Sequence, residues 1–189
     1  MSSFAFGSRT VDGENGGVAG GGGGAAAAFV AVSGDAAVTA AGDGNLEALS
    51  KLLEKGAPLV DDFGYTALMA AVSYGHANVA QWLLQRTGGD DVNMSDNEGD
   101  TALHYCAEPV CLNLLLSAGA DVNRKNAEGK TPIETALENF EEELCEGEKV
   151  EIDMQTILAG GENPFVDQNH DLLQVIRTMQ QAVASASSQ

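Results

Sequence analysis

The chain reads as an all-α repeat solenoid, a stack of helix-turn-helix units joined by short hairpin tips. Three observations predict this. The first is a sentence written twice, Gly64-Tyr65-Thr66-Ala67-Leu68-Met69-Ala70-Ala71 and then Gly99-Asp100-Thr101-Ala102-Leu103-His104-Tyr105-Cys106-Ala107. The second is that each copy leads into a leucine pair (Leu83-Leu84, Leu115-Leu116) and then Asp-Val-Asn (Asp91-Val92-Asn93, Asp121-Val122-Asn123). The third is spacing. The Gly-x-Thr openings at Gly64, Gly99 and Gly129 start 35 and 30 residues apart, and self-similarity near 33 residues marks stacked supersecondary units.

Residues 1–34 are glycine-rich, with Gly20 to Gly24 unbroken. Such a run has maximal backbone entropy and nothing to bury, so a disordered tail is expected. A phosphate-cradling loop would need a preceding strand and a nearby lysine, and neither is present. The first repeat is expected over about 35–61. Ser33-Gly34-Asp35 offers capping oxygens, Ala36 to Ala41 reads as a short helix, and Leu46 to Lys55 reads as a second, ended by Gly56.

Repeat two, about 62–95, has Thr66 as cap, small Ala70-Ala71 for close helix approach, and a Gly75-His76 turn. Val79, Leu83 and Leu84 then form a buried stripe. Its exit, Thr87 to Asp91, carries two extra residues. Repeat three, about 96–125, lacks three residues of that turn and keeps Glu108-Pro109. Proline suits the first position of a second helix, and the first helix should be about one turn short. Repeat four, about 126–160, opens at Thr131-Pro132 and runs into ten carboxylates against two lysines between Glu128 and Asp153, a polar face suited to a terminal unit. In 161–189, Asp167 or Asn169 is expected to cap a last helix, with His170 in the cap region. Its stripe is Leu172, Ile176, Met179 and Val183, and Ser185 to Gln189 should fray.

These motifs resemble the ankyrin repeat, with its T-P-L-H-x-A opening. The resemblance implies protein-binding solenoid units and assigns structural roles to Thr66, Gly75, His76, Thr101, His104, Thr131 and Pro132. It further implies that His104 bonds Thr101 and the neighbouring repeat. Met69 and Glu134 stand where that histidine belongs, which puts the ladder in doubt there.

Chemistry is sparse. Three cysteines, Cys106, Cys111 and Cys145, form no disulfide framework and suit a reducing compartment. With His104 they lack the paired spacing of a zinc site, and Cys106 and Cys111 fall on core positions. There is no nucleophile elbow, Glu141-Glu142-Glu143 reads as a solvated acidic run, and no cofactor or enzymatic activity is expected. Ala25 to Val32 is too short to span a bilayer, and its flank is not basic as in a signal peptide. A monomer in the cytoplasm or nucleus is the expectation. The formal charge of −19 disfavours nucleic acid and anionic membranes and favours a basic protein surface.

What remains is surface. The expected contact patch joins Phe63, Tyr65, Tyr74 and Tyr105 with Asp61, Asp62, Asp96 and Asp100, on hairpin tips and outward positions of first helices. Exposed aromatic rings are the side chains best suited to anchor a partner.

Overall fold

The computed structural model describes residues 34–145 and 170–186. The expectations for the glycine-rich tail, for the caps at Asp167 and Asn169 and for the frayed end (in part) lie outside the described residues, as do the side chains of Glu141 to Glu143 and Leu172. Among the described residues there are seven α-helices: α1 (Gly34–Gly42), α2 (Leu46–Glu54), α3 (Ala67–Ser73), α4 (Ala77–Thr87), α5 (Pro109–Ser117), α6 (Pro132–Cys145) and α7 (His170–Ala186). A 3-10 turn, Asp90–Asn93, comes after α4.

Three helices, α2, α3 and α6, begin where a side chain offers the first turn a partner. Asn45 accepts from the Ala48 N–H at 3.0 Å ahead of α2. Thr66 accepts from the Met69 N–H at 3.1 Å, and the Met69 sulfur accepts in turn from the Thr66 N–H at 3.3 Å, a reciprocal box with a thioether in place of the usual acid or amide. Before α6 the box is conventional: the Glu134 carboxylate accepts from the Thr131 N–H at 2.7 Å. α1 differs from expectation, because Asp35 lies inside its first turn instead of capping it.

Helices stack in two layers. α1 meets α3, each first helix meets its own second helix (α1 with α2, α3 with α4), and α4 meets α5. Alanines make the close approach possible: Ala37, Ala40, Ala41, Ala67, Ala70 and Ala71 are all buried, and Leu49, Val79, Leu83, Leu112 and Leu115 fill the seams. Burying a leucine or valine fully contributes about 1.5–3 kcal/mol, so this run of small and branched residues carries most of the stack.

Repeat three departs further than the sequence suggests. Thr101 to Tyr105 is a single turn and not a shortened helix. Its bonds run three residues back, His104 N–H to Thr101 O at 2.9 Å and Cys106 N–H to Leu103 O at 3.3 Å. Pro109 explains the stop. The residue before a proline is driven to extended backbone, and Glu108 has φ −109° and ψ 129°. With three residues gone, no room remains to complete a helix before that point.

The C-terminal helix also differs. α7 packs on both α6 and α5, as α4 packs on α3 and a second helix packs on the one before it. It therefore stands where the second helix of the fourth repeat belongs, although it is joined to α6 by residues 146–169 and not by a tight turn. Two neighbours demand a wider apolar face than one stripe. Leu173, Val175, Ile176 and Met179 are buried, while Val183 is half-buried.

Candidate interaction surface

The hairpin tips are built alike. Asp61, Asp96 and Asn126 each open a loop whose backbone N–H bonds the carbonyl four residues on, at 3.0, 3.0 and 2.9 Å. The Oδ1 of each also accepts two N–H groups from inside the loop: Phe63 and Tyr65 for Asp61, Glu98 and Asp100 for Asp96, Glu128 and Lys130 for Asn126. Short oxygen-bearing side chains favour such turns. Gly64 and Gly99 have φ of 79° and 82°, and a Cβ on either would stand 3.1 and 2.8 Å from the backbone of the next hairpin. Each tip therefore seats on its neighbour, through Asn97 N–H to Phe63 O at 2.9 Å and Ala127 N–H to Glu98 O at 2.8 Å.

His104 ties repeats three and four. It is buried; its Nδ1 accepts from the Thr101 N–H at 3.1 Å and the Thr101 hydroxyl at 2.9 Å, so Nε2 carries the proton and donates to Lys130 O at 3.2 Å. Met69 and Glu134 keep the local half of this arrangement. Among the described residues no hydrogen bond takes either side chain to the next repeat.

The eight residues of the expected patch divide into two groups. Tyr65 and Tyr105 are half-buried and meet edge to face, centroids 5.1 Å apart at 88°, a preferred aromatic geometry. The Tyr105 hydroxyl donates to Asp96 Oδ2 at 2.6 Å, and Asp100 Oδ1 accepts from the Asn126 amide at 2.7 Å. Burial pushes the Tyr65 phenol up to about 12, with the charges of Asp96 and Asp61 adding to it. Burial, then Asp96, pushes Tyr105 higher still. Asp61, Tyr65, Asp96, Asp100 and Tyr105 thus form a frame whose polar atoms are engaged within the fold.

Asp62, Phe63 and Tyr74 form the second group and face solvent. Phe63 is 55% and Tyr74 57% exposed, and Tyr74 lies over Gly42, where an added Cβ would stand 3.3 Å from the ring. The contact patch expected from the sequence omits Val110, which is 60% exposed on the first turn of α5; the missing residues before Pro109 were the available signal. Thr66 caps α3 as expected and Thr131 takes part in the box that opens α6, whereas Thr101 caps no helix and bonds His104. Pro132 is buried at the start of α6, and the Gly75-His76 turn passes under its neighbours, with His76 against Gly44 and Glu108 against Gly75. Trp82 is half-buried, with Arg86 over its ring at 5.3 Å.

Cys106 and Cys111 are free and buried. Burial pushes Cys111 up to about 11 and Cys106 further, the condition of an inert core thiol. Among the described residues no cluster of His, Cys, Asp or Glu could hold a metal ion, and no helix is long and apolar enough to cross a membrane.

Comparison with known proteins agrees with this geometry. The family model for ankyrin repeats in three copies matches residues 36–126. The chain is 37% identical over 93 residues to ankyrin repeat-containing protein P1E11.10 of Schizosaccharomyces pombe, covering 48% of this chain and 44% of that one. It is 42% identical over 73 residues to protein fem-1 homolog A-like of Mus musculus (37% and 11%), and 37% identical over 86 residues to oxysterol-binding protein-related protein 1 of Homo sapiens (44% and 9%). The match thus spans less than half the length of each of these relatives. The threonine that caps the short helix α3, paired leucines in the second helices and seated glycine hairpins make residues 36–126 a member of the ankyrin-repeat family, a protein–protein interaction module.

Proposed function

We propose that this chain is a non-catalytic binding module that docks a basic polypeptide through its hairpin tips and the outward ends of its first helices. The observation that carries the reading is the pairing of solvent-facing rings, Phe63 and Tyr74, with a chain of formal charge −19. The rings supply apolar anchors; the acidic field speeds encounter with a cationic surface and makes it salt-sensitive. The hydrogen-bonded tips hold these residues in place before encounter, so little ordering entropy is lost on binding.

A narrower form is an acidic escort of a strongly basic client such as a ribosomal protein, which the charge balance favours. The alternative is an adaptor subunit of a larger complex. Free, buried Cys106 and Cys111 support a reducing compartment, cytoplasm or nucleus.

Capture of clients from lysate at low salt and at ~0.5 M salt separates these readings. Basic clients held at low salt and released at high salt support the escort, and a salt-resistant assembly supports the adaptor. For the surface, Phe63→Ala with Tyr74→Ala should weaken a captured client by at least about tenfold, as loss of an anchor does. Unchanged affinity in a folded double variant rejects this surface.

A further inference from the structure

Between repeats one and two lies a half-open cavity of about 340 Å3. Leu53, Leu59, Leu68 and Leu83 line it, and Met94, 41% exposed, reaches both the cavity and solvent. Its outer wall differs from the matching parts of the other repeats. α4 is two residues longer than α2, and two successive left-handed glycines, Gly88 (φ 68°) and Gly89 (φ 85°), turn its exit into the 3-10 turn Asp90–Asn93. The corresponding exit of repeat three is two residues shorter. The lengthened exit brings Asp91 to the cavity.

Asp91 is the one charged side chain in that lining. Among the described residues no basic side chain forms an ion pair with it. Burial raises its proton affinity, and the neighbouring Asp90 adds to this, while a bond from Thr87 works against it. A carboxylate beside a leucine wall, with a second acid next to it, is stabilised by an incoming cation. A neutral guest would leave that charge as it is, and an anion would worsen it. The volume falls at the small end of the range in which proteins hold organic ligands, roughly 300–1,000 Å3.

We propose that this cavity binds an organic cation with an apolar body, an alkylammonium group whose chain lies along the leucines and whose head meets Asp91. None of the eight residues of the contact patch lines it, so the site is independent of the proposed docking surface. Two sources share this chemistry: a free aliphatic amine and the lysine side chain of another polypeptide.

The test is an amide-shift titration of the full chain with hexylamine, hexanol and hexanoate, followed at Leu59, Ala67, Leu68 and Met94. Hexylammonium should saturate these shifts with a Kd about tenfold below that of hexanol, the advantage of a charge-assisted hydrogen bond, and hexanoate should not saturate them. Asp91→Asn should remove the tenfold advantage, while Asp90→Asn keeps most of it. A tripeptide, acetyl-Leu-Lys-Leu-amide, against its norleucine analogue distinguishes the sources: saturable binding of the lysyl peptide assigns the site to a partner's side chain, and binding of hexylamine alone assigns it to a free amine. Equal binding of all three probes, no saturation by any, or equal damage from the two asparagine variants overturns the proposal.

Discussion

At the scale of single residues, two histidine-like positions with different occupants show what the ladder is worth. His104 satisfies an N–H, a hydroxyl and a carbonyl on two repeats; His104→Ala leaves the Thr101 N–H and Lys130 O without these partners. A buried polar group so stranded costs about 1–3 kcal/mol, and urea unfolding should show a loss of that order or more. Met69→Ala removes only the local half and adds a cavity, so its cost of about 2–5 kcal/mol should come without loosening of the following hairpin. Amide exchange at Asn126 to Lys130 for the first variant and at Asp96 to Asp100 for the second distinguishes the two. The tyrosine pair gives a pH prediction. Tyr65 has a folded value near 12 against an ordinary value of 10.0, so its stabilising contribution is complete below about 10 and disappears as pH rises through 12; Tyr105 shifts the same way. In a Tyr74→Phe background, tyrosinate absorbance should lag the free phenol, and unfolding should accompany its rise. Cys106 and Cys111, in a Cys145→Ser background, should resist a thiol reagent at pH 8 until denaturant is added.

Elements are where sequence and structure agree least evenly. The Thr66 cap was legible because it depends on a residue within one turn, Met69, whereas the leucine seams and the Ala70-Ala71 face opposite α1 were legible from the repeat period. Two things were not. The first helix of repeat three vanished because Pro109 constrains Glu108 and, through it, the turn before; the deletion was visible, but its consequence depends on backbone geometry. The face of α7 was read too narrowly, since its sequence cannot announce that two helices, α5 and α6, receive it. Of the contact patch, the sequence placed the residues on tips and first helices, yet it could not separate Tyr65 and Tyr105, turned toward each other, from Phe63 and Tyr74, turned outward. That distinction depends on contacts between repeats. If α7 serves as the missing second helix, Ile176→Ala should cost about 2–5 kcal/mol and reduce amide protection in α5 and α6 more than in α1 to α3.

On the scale of the whole molecule, charge and connectivity set behaviour. With −19 formal charges the folded chain repels itself, and screening should relieve this: raising salt from about 0.01 M to about 0.15 M, which shortens the Debye length from about 30 to 8 Å, should raise the melting temperature. The same salt should weaken a basic client, so stability and affinity are expected to move in opposite directions. Connectivity has a temporal side. Units one to three close through neighbours in sequence, but α7 reaches its seat only after residues 146–169. On a ribosome adding roughly 5–20 residues per second, the stretch from Cys145 to Ala186 needs several seconds, during which the outer flank of α5 waits bare. For that interval the stack has an open end at α5, and whatever meets it first, chaperone or client, meets a surface that α7 later covers.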